Sequence, residues 1–282
     1  MFGKDTREIE SFSGGQRMRL TNLFAIMGAL ALLGPSNANA NSIDFFAPNG
    51  NGADTTSIVT YSGIDFVEDA HFFYSGGIIA LNGDISRNGF LLKGFVGTGD
   101  YEYPTSSVPG GNVDADATDL AALAGYQIYS GNYRFAAYVG VNWIDNDLNP
   151  KDPTNPTAGS ETGFAVSGEF DTVQSRPLYL SLIGQYSTAY ETYWSRVRPG
   201  YRFGTWVVGP EGIFMGDETY DAQRAGAFVS VPINIKRDVT FELTFSGGYQ
   251  WIGEDEVDGG FFGGPAGTSD GGYGNVNISA AF

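Results

Sequence analysis

Residues 239–251 read VTFELTFSGGYQW. Val239, Phe241, Leu243, Phe245, Gly247, Tyr249 and Trp251 fall on one parity; Thr240, Glu242, Thr244, Ser246, Gly248 and Gln250 fall on the other. Only a strand, with its side-chain period of two, separates those sets onto opposite faces. The same pattern returns in 133–143, where Tyr133, Phe135, Ala137, Val139, Val141 and Trp143 oppose Arg134, Ala136, Tyr138, Gly140 and Asn142. It returns again in 178–187, where Leu178, Leu180, Leu182, Gly184 and Tyr186 oppose Tyr179, Ser181, Ile183, Gln185 and Ser187.

Working outward, the alternation predicts strands near 58–66, 71–81, 89–101, 116–129, 133–146, 160–173, 178–189, 192–204, 205–215, 220–233, 239–252 and 271–282. Many of these segments are long for a soluble sandwich but suit tilted membrane strands of ~9–11 residues or more. Aromatic residues sit at the ends of the apolar faces, where the interfacial girdles of a membrane barrel belong. Short turns (Ser130-Gly131-Asn132, Gln174 to Pro177, Gly204-Thr205, Asn234 to Asp238) alternate with long polar connections at 102–115, 147–159 and 253–270. The expected fold is all-β, a transmembrane antiparallel up-and-down β-barrel of about twelve strands, with both termini on the periplasmic side. The last segment puts Val276, Ile278, Ala280 and Phe282 on one face and ends on that aromatic residue. Phe282 is therefore read as a barrel-assembly signal, with the barrel-assembly machinery and outer-membrane lipid as expected partners.

Composition agrees with this fold. The chain carries 41 Gly, 21 Phe, 16 Tyr and 4 Trp; Gly disfavours helices and aromatics favour strands. With 15 Lys+Arg against 32 Asp+Glu, the net charge is −17, and no nucleic-acid partner is expected. The absence of cysteine removes thiolate nucleophiles, thiolate metal sites and disulfides. Residues 17–40, RMRLTNLFAIMGALALLGPSNANA, have a basic start, an apolar run from Leu20 to Leu33 and an Ala38-Asn39-Ala40 cleavage pattern. Residues 1–40 thus read as a removed signal peptide, 41–57 as a periplasmic segment and 58–282 as an outer-membrane barrel of a Gram-negative bacterium.

The alternation assigns several charges to the lumen. Arg196, Arg198 and Arg202 lie opposite Val197, Tyr201 and Phe203; Lys93, Arg134, Glu169, Glu211, Arg224 and Glu242 point inward by the same parity. Buried charges need partners, so an ion-pair network is expected there; a basic stripe selecting solutes is the alternative. Twelve strands at ~4.8 Å spacing and ~40° tilt give a backbone diameter near ~24 Å and a bore of ~10 Å once side chains are counted. Such a lumen is either plugged or a narrow channel.

No catalytic residues, cofactors or metals are expected. The single histidine, His71, follows Glu68-Asp69 in a predicted tight connection, and no G-x-S-x-G occurs. A lipid-modifying enzyme using His71 is the weakest reading. The acidic stretches Asp114 to Asp119, Asp145 to Asp152 and Glu254 to Asp258 read as solvated loops and lack the calcium-loop pattern.

Several short segments carry a family likeness. They are Tyr61-Ser62-Gly63-Ile64-Asp65, Asn88-Gly89-Phe90-Leu91-Leu92-Lys93, Tyr101-Glu102-Tyr103, Ala124-Gly125-Tyr126-Gln127 and 145–150 (DNDLNP) with Asp152-Pro153. Arg198-Pro199-Gly200-Tyr201-Arg202, Val208-Gly209-Pro210-Glu211, Tyr220 and Arg224-Ala225-Gly226-Ala227 continue it. Together they resemble the cellulose biosynthesis protein BcsS family, across most of 58–282. The resemblance implies a non-enzymatic barrel assisting cellulose production or export, with cellulose or cellulose-export components as partners, and brings no catalytic residues. A small-solute porin with an arginine-lined lumen is the alternative, and neither composition nor spacing indicates cellulose independently.

Overall fold

The computed structural model describes residues 56–68, 70–173, 177–236, 239–253 and 270–282. The expected signal peptide, most of 41–57 and most of the 253–270 connection lie outside the described residues, as do 174–176 and 237–238. Twelve strands are present among the described residues: β1 Ile58–Val67, β2 Ala70–Ala80, β3 Gly89–Pro104, β4 Asn112–Ser130, β5 Tyr133–Asn149, β6 Gly159–Thr172, β7 Leu178–Ser187, β8 Tyr193–Phe203, β9 Trp206–Gly216, β10 Asp221–Lys236, β11 Val239–Ile252 and β12 Gly271–Ala281. Each pairs antiparallel with its sequence neighbours, and β12 pairs with β1 (Val59 opposite Ala281, Tyr61 opposite Ser279) to close the barrel. Closure leaves no free sheet edge. Phe282 seals the seam through its backbone: its N–H donates to the Ile58 carbonyl at 2.9 Å, and its own carbonyl accepts from Ser57 N–H at 2.7 Å.

An even strand number brings both termini to one end, here called the terminal end; the other is the loop end. At the terminal end the β4–β5 and β8–β9 turns are tight, with Gly131 and Gly204 at φ 61° and 64°. Turns that match strand twist need this left-handed conformation, which glycine adopts without steric cost.

At the loop end, β3, β4 and β5 run past their expected limits, so the connections shrink to 105–111 and 150–158. The acidic stretches expected there as loops are largely strand. In 113–117, Val113, Ala115 and Ala117 are buried while Asp114 and Asp116 are exposed, so the alternation simply continues. The inward residues join an apolar cluster with Phe72, Tyr101, Tyr103, Leu148, Met215 and Tyr220, and that burial drives the extension. His71 also departs from expectation. It lies on β2, not in a connection, with its exposed imidazole Nδ1 3.6 Å from the exposed Asp100 carboxylate.

The outward face is apolar. Phe90, Val139 and Phe164 are 65%, 65% and 75% exposed. Aromatic pairs rim this band: Phe90–Tyr126 (5.0 Å between ring centroids), Phe135–Phe170 (4.9 Å) and Tyr201–Phe203 (4.7 Å) near the terminal end, Tyr249–Trp251 (5.1 Å) near the loop end. An apolar band of this extent, edged by aromatics, has the character of the outer surface of a membrane barrel. No described helix is long and apolar enough to cross a membrane.

The inward face explains the glycine and aromatic content. A Cβ at Gly63 would collide with the Tyr74 side chain, one at Gly76 with Tyr61, one at Gly97 with Phe72, one at Gly125 with Tyr138 and one at Gly226 with Tyr273. Each glycine leaves the space in which a ring from a neighbouring strand lies against the wall. The lumen is lined by these flattened aromatics.

Candidate functional site in the barrel lumen

Among the described residues the lumen holds three polar groups between two apolar ends. Toward the terminal end, Arg134 is fully buried and donates to Gln127 Oε1, Asp171 Oδ2 and Glu169 Oε2 at 2.9 Å each, and to the Tyr138 hydroxyl at 3.2 Å. Glu169 also accepts from Lys93 Nζ at 2.7 Å, and the ammonium lies 5.0 Å from the centroid of the Tyr138 ring. Lys93 is on β3 and Glu169 on β6, so this pair joins strands three apart and narrows the lumen from its side.

The second group is centred on β8 and β9. Arg198 forms an ion pair with Glu211 and donates to Ser246 Oγ at 3.3 Å, while its guanidinium lies over Phe228. The Tyr273 hydroxyl donates to Glu211 Oε1 at 3.0 Å, tying β12 to β9. In the third group Arg224 of β10 donates to both oxygens of Asp65 on β1, at 2.8 and 3.0 Å, and to Gln250 Oε1 at 2.8 Å. Charge-assisted pairs of this kind satisfy groups that would otherwise be costly to bury.

The three arginines read as a stripe have three different environments. Arg198 is ion-paired. Arg202 donates to the Thr172 carbonyl at 2.9 Å and lies over Tyr179. Arg196 lies over Trp194, 5.5 Å from the ring centroid, and makes no ion pair among the described residues. Glu242 lines the same space. Of the expected inward charges, Lys93, Glu169, Arg196, Arg198 and Glu242 line one lumen cavity; among the described residues Lys93, Arg134, Glu169, Arg198, Glu211 and Arg224 take part in ion pairs. Asp65, Asp171, Gln127, Gln250, Tyr138 and Tyr273 belong to the same networks and were not singled out from sequence. Their signal was present: Asp171 shares the parity of Glu169, and Asp65 that of Tyr61.

Both ends of the lumen are narrowed by connections that fold inward. At the terminal end, Ile85 of the β2–β3 connection is fully buried among Ile78, Leu91, Leu123 and Tyr138. Its carbonyl accepts from Gln127 Nε2 (2.7 Å) and the Tyr129 hydroxyl (2.8 Å), and its N–H donates to the Thr56 carbonyl (2.7 Å). At the loop end, a single 3-10 turn at Ala189–Glu191 buries Tyr190 against Ile144 and Trp194. Burial, followed by the nearby charges of Glu161, Asp145 and Glu218, pushes the Tyr190 phenol up to about 12.

Asp152 clasps two loop-end connections together. It accepts from Ser107 Oγ at 2.6 Å, from Thr154 N–H at 2.9 Å and Oγ1 at 2.7 Å, and from the Tyr103 hydroxyl at 3.3 Å. Desolvation opposes its charge, but these donors outweigh that penalty and hold the carboxyl at about 2.

Between the ends lies a cavity of about 270 Å³, bounded by Ile78 and Leu123 toward the terminal end and by Phe72, Phe95 and Trp194 toward the loop end. Asp119, Asn142, Ser167 and Asn275 also line it, each less than a tenth exposed.

Among solved structures, the chain is similar to a deltaS2S3 mutant of TodX, a monoaromatic hydrocarbon channel, at 10% identity, covering 84% of this chain and 91% of that one with a TM-score of 0.45. It is also similar to the beta domain of the Bordetella autotransporter BrkA (11% identity, 81% and 100% covered, TM-score 0.41) and to CdiB from Acinetobacter baumannii (8%, 80% and 60%, 0.37). No match is found among curated proteins. A family model described as cellulose biosynthesis protein BcsS matches residues 59–282, from the second residue of β1 to the C-terminal Phe282. The likeness noted in the short sequence segments thus extends over the whole barrel, and the chain belongs to the cellulose biosynthesis protein BcsS family.

Proposed function

We propose that this chain is a non-enzymatic outer-membrane barrel that assists cellulose production or export at the cell surface without itself conducting the polymer. The family match over the entire barrel carries the cellulose assignment. The accessory character is supported by the lumen, where ion pairs narrow the bore from its sides and about 270 Å³ of space is left between two apolar ends. A glucan strand passing through would have to displace both. In this reading residues 1–40 direct export, the apolar band meets outer-membrane lipid, Phe282 serves recognition by the barrel-assembly machinery, and the terminal end faces the periplasm. Cellulose-export components are then met at the rims.

The porin alternative has less support. Its selectivity stripe required Arg196, Arg198 and Arg202 as three available charges, yet Arg198 is committed to Glu211 and Arg202 to the Thr172 carbonyl. The test is a deletion strain complemented with the full chain, scored for the amount and location of cellulose at the cell surface. Loss or mislocation of cellulose, restored by complementation, is expected. Normal amounts of correctly placed cellulose in the deletion strain would refute the role.

A further inference from the structure

The lumen cavity contains polar atoms that its own wall leaves unsatisfied. Asp119 Oδ1, Asn142 Nδ2, Ser167 Oγ and Asn275 Oδ1 are buried and make no hydrogen bond, and all four residues line this one cavity. The Asn142 side-chain amide faces Asp119 as a donor, but the two stand outside ordinary hydrogen-bond geometry. The amides are oriented by their other atoms: Asn142 Oδ1 accepts from Ser187 Oγ at 2.5 Å, and Asn275 Nδ2 donates to the Tyr74 hydroxyl at 3.2 Å. A buried polar atom without a partner costs about 1–3 kcal/mol. Four such atoms around one space point to an occupant that supplies the missing bonds.

The pattern of unmet bonds restricts its chemistry. Asp119 and Asn275 need donors, Asn142 needs an acceptor and Ser167 takes either, which suits hydroxyl groups because each both donates and accepts. An anion is disfavoured, since the wall cations Lys93 and Arg198 are already paired with Glu169 and Glu211, and Asp65, Asp119, Asp171 and Glu242 also line the space beside Arg196. Aromatic rings make up much of the rest of the wall, with Tyr61, Phe72, Tyr74, Phe95, Tyr179 and Trp194 beside aliphatic Ile78, Leu123 and Ile213. Such faces are electron-rich and meet the C–H edges of a saturated ring. The cavity of about 270 Å³ lies just below the ~300 Å³ where small-molecule pockets begin and equals roughly nine waters at ~30 Å³ each. That is room for one or two rings and excludes a long chain. We propose that the lumen cavity binds a neutral pyranose sugar, as a monosaccharide, a disaccharide or the end of a longer glycan.

This inference does not depend on the cellulose role, and each can fail alone. The full mature barrel in detergent micelles is titrated by calorimetry with glucose, cellobiose and cellohexaose, and with sorbitol and glucose 6-phosphate as open-chain and anionic controls. Saturable binding of glucose or cellobiose is expected, with both controls weaker by about tenfold or more, ~1.4 kcal/mol. Cellohexaose competing with cellobiose assigns the site to a chain end; cellohexaose failing to compete assigns it to free small sugars. Asp119→Leu should weaken binding by about tenfold, the size of one lost buried hydrogen bond. Ser167→Ala, a smaller change that keeps the fold, should weaken it severalfold, whereas the outward Leu120→Ala should leave it unchanged. Absence of saturable binding of either sugar, or binding unaltered by both cavity substitutions, would overturn the proposal.

Discussion

Replacing Arg134 with methionine should destabilise the barrel by about 3–5 kcal/mol, the usual cost of leaving a buried charge without its partner. The penalty is not shared equally among Gln127, Tyr138, Glu169 and Asp171, to which Arg134 donates. Gln127 keeps its two donations to the Ile85 and Arg87 carbonyls, and Glu169 keeps Lys93 at 2.7 Å. Asp171 loses the only cation paired with it among the described residues. The cost should therefore fall mainly on Asp171, and a second substitution shows whether it does. In Arg134→Met/Asp171→Asn the stranded charge is gone, and about 1–3 kcal/mol should return. In Arg134→Met/Glu169→Gln nothing should return, because Asp171 stays stranded and Lys93 loses its carboxylate as well. Equilibrium urea unfolding of the barrel in lipid vesicles, followed by tryptophan fluorescence, measures all four proteins. A single variant within ~1 kcal/mol of the parent, the worth of an exposed ion pair, would refute the reasoning. So would two double variants of equal stability.

Two further outcomes follow from the facing of the strands and from the loop clasp. Val139→Arg, at a 65% exposed position on the outward face of β5, should cost ~2–4 kcal/mol in vesicles if it lies near the bilayer midplane; a cost under ~0.5 kcal/mol, typical of ordinary water-exposed positions, would mean that this face does not meet lipid. Asp152 has a folded-state pKa of about 2 against an ordinary 3.8, so its contribution is complete above the ordinary value and is lost as pH falls through about 2. Pepsin nicking within 105–111 or 150–158 should therefore increase between pH 4 and pH 2 in the parent, while Asp152→Asn should be nicked at all acid pH values; parallel profiles would exclude the clasp.

The barrel was legible because its main signal is strictly local. A membrane strand must present lipid-compatible residues at every second position, so parity alone separates Val139 from Tyr138, and twelve such segments define the fold. Strand limits at the loop end were less legible. There, as in 113–117, small apolar residues alternate with aspartates, and a high acid content reads as a loop unless inward burial by distant Tyr103 and Met215 is known. The lumen was legible as a set of inward charges but not as pairs. Pairing Arg224 with Asp65 joins residues on strands three apart around the barrel, and no sequence spacing encodes which chord an arginine will span. The inward-folded Ile85 was missed for a related reason: its connection carries turn residues, and its burial depends on contacts with Leu123 and Tyr138 from other strands.

The charged and the unsatisfied lumen groups have opposite consequences for what the barrel can do. Widening the bore to its full diameter would require at least the Arg224–Asp65 and Lys93–Glu169 pairs to separate, since each joins strands three apart and narrows the lumen from its side. At about 3–5 kcal/mol for each broken buried pair, two such events cost roughly 6–10 kcal/mol, a large share of the ~5–15 kcal/mol that holds a domain folded. The ion pairs are thus a fixed internal scaffold and not a gate. Asp119, Asn142, Ser167 and Asn275 carry no such commitment: occupying the space between them gains hydrogen bonds and breaks none. On the role proposed above, a lumen built in this way would resist a polymer and admit a small ligand, and coupling to a glucan would act through the rims or through occupancy of the cavity.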